Sequence, residues 1–218
     1  MKIGIFDSGI GGLTVFKEIS KALPSFEIIY LGDTARLPYG IKSKRTIDRY
    51  SINNVKLLKS LDCEIIVIAC NTASSYSTNL LKSKFKIPIF DVISAGVKAA
   101  LKDNPKILGV IGTDSTINSM AYNKMILNNN SNIKVYTKAC SIFVPIIEQG
   151  LIKKKHYHKI IEENLKFFKN KNLNGLILGC THYPIIKRKI KDYLGDDIRL
   201  IDSSLEVSAT LKKYLEIN

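Results

Sequence analysis

Two stretches of this 218-residue chain carry its reactive side chains. In Ile65-Ile66-Val67-Ile68-Ala69-Cys70-Asn71-Thr72-Ala73 an apolar run stops at a small residue, then presents a thiol and polar neighbours. The stretch Gly175-Leu176-Ile177-Leu178-Gly179-Cys180-Thr181-His182-Tyr183-Pro184 repeats the arrangement. Each reads as a buried strand delivering cysteine at its C-terminal end, where open parallel sheets bind ligands. A lone free thiol is commonly an inert core residue. Two in the same context, each followed by hydrogen-bonding side chains, point to chemistry. Cys63 and Cys140 lack that context and read as core.

Paired thiols suit one reaction in particular. Inverting a carbon centre without a cofactor needs a base on one face and an acid on the other. One thiolate removes the proton and the opposing thiol returns a new one. Asp7, and Glu148 or His182, would exchange protons with the thiols and set their charge. His182 stands two residues from Cys180, and can instead bind an acid group. Polar groups and backbone N–H donors following Ser8, Tyr39, Asn71 and Thr181 would hold carboxylates and an ammonium.

The elements that must position these groups alternate. Strand Lys2–Phe6 runs into Asp7-Ser8-Gly9-Ile10-Gly11-Gly12-Leu13-Thr14, and a helix then continues to Pro24. Strand Glu27–Leu31 precedes a loop rich in turn residues, Gly32 to Gly40. Ser43 caps a long helix, strand Ile65–Ala69 follows, and a helix is expected over Ser74–Phe85. Strands at Ile87–Phe90, Lys106–Ile111, Lys134–Lys138, Gly175–Gly179 and Ile198–Ile201 alternate with further helices, the last near Glu206–Leu215. This is the pattern of parallel sheets flanked by helices. The strand starts Lys2 and Lys106, and the cysteines 70 and 180, are related by nearly the same offset, which predicts two similar α/β halves.

Composition narrows the classes. Hydrophobic residues are 45% of the chain, enough for an ordinary globular core. There are 33 Lys and Arg against 19 Asp and Glu, a formal charge of +14. The basic residues are dispersed, so a solvated surface is expected and a nucleic-acid partner is not. The four cysteines form no C-x-x-C pair, and the three histidines form no metal-binding pattern with them, so no metal is expected. His156 and His158 read as solvated. No apolar run reaches membrane-spanning length, and Asp7 interrupts any N-terminal leader, so a reducing cytoplasm is expected. Gly9-Ile10-Gly11-Gly12 invites a dinucleotide reading, with Asp33 as the ribose acid. Thr14 stands where a third glycine belongs, and Asp7 would repel a pyrophosphate.

Asp7 to Val15, Pro38-Tyr39-Gly40, Cys70-Asn71-Thr72-Ala73 and Gly179 to Pro184 together resemble the bacterial glutamate racemases of the aspartate/glutamate racemase family. The likeness spans nearly the whole chain in the right order. His182, where aspartate racemases tend to carry an acid after Cys-Thr, favours glutamate. The resemblance implies two α/β domains, residues 1–92 plus 206–218 and residues 93–205, with the site in the cleft between them. It implies Cys70 and Cys180 as the acid/base pair, no cofactor, and a homodimer. Substrate binding then falls to Asp7, Ser8, Pro38, Tyr39, Gly40, Asn71, Thr72, Thr113, Thr116, Thr181 and His182. The family supplies D-glutamate for peptidoglycan in the cytoplasm. Two departures stand out. Ser141 replaces the usual Pro after Ala-Cys, and the sequence ends soon after Leu215 where many members continue. The rivals are a racemase for aspartate or another amino acid, and a basic nucleic-acid- or gyrase-binding protein on the same fold.

Overall fold

The computed structural model describes residues 1–217, apart from the side chain of Lys155. Its strands are β1 (Lys2–Asp7), β2 (Glu27–Gly32), β3 (Cys63–Ile68), β4 (Ile89–Asp91), β5 (Ile107–Gly112), β6 (Lys134–Ala139), β7 (Gly175–Gly179) and β8 (Arg199–Ile201). The helices are α1 (Leu13–Ala22), α2 (Lys44–Ser60), α3 (Asn71–Lys84), α4 (Val92–Leu101), α5 (Asp114–Asn118), α6 (Ala121–Asn129), α7 (Phe143–Glu148), α8 (Lys155–Leu165), α9 (Lys187–Leu194) and α10 (Ser203–Ile217).

The strands form two four-stranded parallel sheets, ordered β2-β1-β3-β4 and β6-β5-β7-β8. The orders are equivalent, so the expected similarity of the halves holds at the level of topology. β1 and β5 are the first strands of their halves and sit inside their sheets. β3 and β7 lie beside them, and these are the strands that end at Cys70 and Cys180. Parallel sheets need cover on both faces. Accordingly Ile3, Ile5, Phe6, Leu108, Val110 and Ile111 are all fully buried.

Three helix starts are fixed by side chains the sequence singles out. Ser43 Oγ accepts the Thr46 N–H at 3.3 Å and starts α2. Thr113 Oγ1 accepts the Thr116 N–H at 3.4 Å and starts α5. At α3 the cap is a sulfur: Cys70 Sγ accepts the Ala73 N–H at 3.4 Å. This helix therefore begins at Asn71, three residues ahead of the Ser74 start expected from sequence. Cap preference points to Ser, Thr, Asp or Asn, and a thiol in that role gives no such signal.

The final helix returns to the first sheet. Val207 and Leu211 pack with Ile3, Ile5, Val15 and Ile19, while the opposite side of the helix exposes Leu205. Helix α4 serves both sheets: Val92 and Ala95 join that first core, and Ile93 and Val97 join the one around Leu108 and Tyr122. His158, expected to be solvated, is half-buried, with Nε2 2.9 Å from the Ile152 carbonyl and 2.5 Å from Lys189 Nζ. The reason is that α8 packs against α9 in the second half, which brings Lys189 over it.

The two faces of α10 give a test. Leu211→Ala should cost about 2–5 kcal/mol by urea unfolding, the range for emptying a filled core site. Leu205→Ala should stay within about 0.5 kcal/mol. Equal effects would contradict the packing of α10 against the first sheet.

Candidate active site

The C-terminal ends of both sheets face one cavity of about 350 Å³. Its lining includes Ser8, Pro38, Tyr39, Gly40, Cys70, Asn71, Thr72, Thr113, Cys180, Thr181 and His182. The structure thus brings these sequence-selected residues to one place. Asp7, Glu148 and Thr116 stand behind the lining. The outer wall adds Leu37, Ile41, Ser141, Ile142, Val144 and Pro145. Sequence reasoning singled out Ser141 among these but not the apolar five, because hydrophobic side chains read as core. Ile41 and Ile142 are in fact exposed, at 73% and 47%, as befits a cleft mouth.

Cys70 is buried at the start of α3, and its Sγ–H points to Ser8 Oγ at 3.5 Å. A helix N-terminus favours a thiolate. Burial and the Asp7 charge oppose it and win, so the Cys70 pKa is pushed up to about 12. Cys180 is raised too, first by burial and then by Asp7, Cys70 and Glu148, against a backbone N–H from His182. Its Sγ lies 3.6 Å from His182 Nδ1, and His182 Nε2 lies 2.9 Å from Glu148 Oε1. The chain Cys180 Sγ, His182 imidazole and Glu148 carboxylate is thus continuous at hydrogen-bond distances.

Asp7 shows why the glycine-rich turn holds no phosphate. Its Oδ2 accepts the N–H groups of Gly9 at 3.1 Å and Gly12 at 3.0 Å, so a carboxylate occupies the anion position. Oδ1 is buried without a hydrogen-bond partner among the described residues. Burial raises the Asp7 pKa, opposed by Gly12 N–H and by the His182 charge. Gly12 cannot be larger: a Cβ there would sit 2.5 Å from Asp7 Cβ. Asp33, the other acid of the dinucleotide reading, is bound to Arg36 Nε at 2.8 Å and to the Tyr39 hydroxyl. The Tyr39 hydroxyl also accepts from Asn54 Nδ2 at 3.1 Å, so it is turned away from the cavity.

The two halves are stitched across the cleft. Thr72 Oγ1 lies 3.0 Å from Thr113 Oγ1 and 3.3 Å from Thr116 Oγ1. Ser115 Oγ donates to the Gly40 carbonyl at 2.6 Å, and Thr14 Oγ1 to the Thr181 carbonyl at 3.2 Å. At Gly11 an added Cβ would fall 2.4 Å from Thr181 Oγ1 and 2.6 Å from the His182 ring. The first-half turn therefore sits directly on the loop that carries Cys180. Ser141, the departure from the family pattern, accepts the Asp114 N–H at 2.9 Å and donates back to its carboxylate. It ties the outer wall to the start of α5.

The raised thiols predict a particular alkylation profile. Without ligand, iodoacetamide labelling of Cys70, followed by peptide mass spectrometry, should rise about tenfold per pH unit and keep rising beyond pH ~9. The sign follows from a pKa above the ordinary thiol value of about 8.5, below which only the protonated, unreactive form accumulates. A plateau below pH 9 would contradict the electrostatic reading.

Comparison with known proteins addresses the family and the fold. The Asp/Glu/Hydantoin racemase family matches residues 3–208. Glutamate racemase from Aquifex aeolicus is 49% identical over 99% of this chain and 84% of its own. The crystal structure of glutamate racemase from Francisella tularensis in complex with D-glutamate superposes with a TM-score of 0.93 at 45% identity, covering 100% of this chain and 81% of that one. A Bacillus anthracis glutamate racemase gives 0.95 at 36% identity, covering 99% and 81%. An aspartate racemase homologue from Pyrococcus horikoshii, 21% identical, shares the fold with a TM-score of 0.68. By family profile, by identity along nearly its full length and by fold, the chain belongs to the Asp/Glu/Hydantoin racemase family.

Proposed function

We propose that this protein is a glutamate racemase that interconverts L- and D-glutamate with two cysteines and no cofactor. The observation that carries the reading is the pair of buried thiols, one from each sheet, lining one cavity with a separate proton partner near each. The identity of the substrate rests on the similarity to glutamate racemases, among them one solved with D-glutamate. In this reading the product supplies peptidoglycan synthesis in the cytoplasm, and the enzyme is a homodimer. Among the described residues no helix is long and apolar enough to cross a membrane.

Charge decides the order of events. With a pKa of about 12, making Cys70 a thiolate at pH 7 costs about 7 kcal/mol, at 1.36 kcal/mol per pKa unit. Neither thiol is therefore ionised in the empty site. A bound amino acid brings an ammonium into this buried space, where one positive charge favours a thiolate. For L-glutamate, Cys180 gives its proton to His182, whose imidazolium Glu148 stabilises. The Cys180 thiolate then takes the Cα proton. Cys70, kept protonated by the nearby Asp7 charge, delivers its own proton to the opposite face. From D-glutamate the roles reverse, and Asp7 becomes the acceptor on the Cys70 side. Asn71, Thr72, Thr113 and Thr181, with Ser8 and the backbone at Tyr39 and Gly40, hold the two carboxylates. Thr116 supports Thr72 and Thr113 from behind.

Circular dichroism of purified protein with L-glutamate, and separately with L-aspartate, tests the assignment. The glutamate signal should decay to zero while the aspartate signal stays nearly constant. Cys70→Ala or Cys180→Ala should lower the rate by at least about 10²–10⁴-fold, the contribution of a positioned acid or base. Preferential loss of the aspartate signal would transfer the protein to the rival substrate, and near-normal rates in either variant would remove the two-thiol mechanism.

A further inference from the structure

One side chain outside the reacting groups touches the neighbours of both thiols. Tyr122, on α6 in the second half, is fully buried. Its hydroxyl donates to Asn71 Oδ1 at 2.7 Å, and Asn71 directly follows Cys70. Its ring lies over Gly179, which directly precedes Cys180: a Cβ at Gly179 would sit 3.1 Å from Tyr122 Cε2. A Cβ at Gly96 on α4 would come within 3.4 Å of the hydroxyl. Gly179 leaves room for the ring, and Gly96 lies in ordinary contact with the hydroxyl end. Burial raises the phenol's pKa, with Asp91 and Cys180 adding to it against the Ser203 hydroxyl, so the hydroxyl of Tyr122 keeps its proton to donate.

The donor matters because an amide has two different ends. Asn71 lines the cavity. With Oδ1 held by Tyr122, the Nδ2 hydrogens are the end left to face a ligand. An anionic carboxylate requires donors, and an amide turned the other way would present an acceptor that repels it. We infer that Tyr122 is a positioning residue: its hydroxyl sets the sense of the Asn71 amide toward a substrate carboxylate, while its ring fixes the approach of the Cys180 loop. This rests on the racemase reading of the cleft.

A double-mutant cycle separates positioning from general support. Tyr122→Phe removes only the hydroxyl and leaves the ring against Gly179. In the otherwise unaltered protein it should lower kcat/KM for glutamate about tenfold or more, the scale of stranding a buried acceptor. The loss should fall mainly on KM, since Asn71 grips ground state and transition state alike. In an Asn71→Ala background the same change should cost almost nothing further. An unchanged kcat/KM in Tyr122→Phe, or an equal loss in both backgrounds, would overturn the inference. Failure of the unaltered protein to racemise glutamate is a separate result: it removes the reading beneath the inference, and the inference with it.

Discussion

The site depends on one constraint: two thiols must be kept out of water at the meeting edge of two separate sheets. Each sheet is parallel and covered on both faces, so its ligand-facing edge is the row of strand C-termini. Bringing two such edges together makes an enclosed space lined from both sides. Nothing covalent joins them at the cavity. The threonine cluster of Thr72, Thr113 and Thr116, the Ser115–Gly40 bond, the Thr14–Thr181 bond and the tyrosine on Asn71 do so instead. Each is a modest interaction alone, roughly 0.5–1.5 kcal/mol net. Together they hold the two strand edges at a fixed separation across the cavity.

The same burial sets the chemistry. Opposed influences act on Cys70: Ser8 and the Ala73 N–H at the start of α3 pull toward thiolate, while the dry surroundings and the Asp7 carboxylate push toward thiol. The latter two dominate, so burial and the Asp7 charge hold the Cys70 sulfur toward its protonated form. The cavity is then conditional. In the proposed reading, the substrate ammonium, one bond from the carbon to be inverted, offsets part of the cost of ionising a thiol. His182 and Glu148 stand in line beside Cys180, whereas Cys70 contacts Ser8, and the Asp7 charge acts on both thiols. In the proposed reading, that asymmetry is what lets two chemically identical side chains start from opposite roles.

Much of this was legible from residue types. The two cysteines declared themselves because each follows an apolar strand and precedes polar residues. The alternation of strands and helices fixed the fold class, and the equivalent sheet orders match the expected similarity of the halves. The sequence argument that Asp7 would repel a pyrophosphate at the glycine-rich turn has a counterpart in the fold, where Asp7 accepts the turn's own N–H groups. What stayed hidden has physical causes. A sulfur cap moved the start of α3 to Asn71, where cap preferences give no signal. Leu37, Ile41, Ile142 and Val144 form a cleft wall, and hydrophobicity alone does not separate wall from core. Tyr122 sits in a sequence with no motif around it, and its position against Asn71 and Gly179 exists only once the two sheets meet. The offset that relates the cysteines says nothing about which residues cross the seam.

The central claim is that different thiols remove and return the proton. It is tested most directly by starting the reaction in D₂O and sampling before the enantiomers mix appreciably. From either enantiomer, the account predicts product deuterated at Cα and remaining substrate that is still almost wholly protiated, read by mass spectrometry after chiral separation. Product that retains its original hydrogen, or deuterium appearing equally in both enantiomers from the first samples, would show that a single base works both faces and would contradict the account.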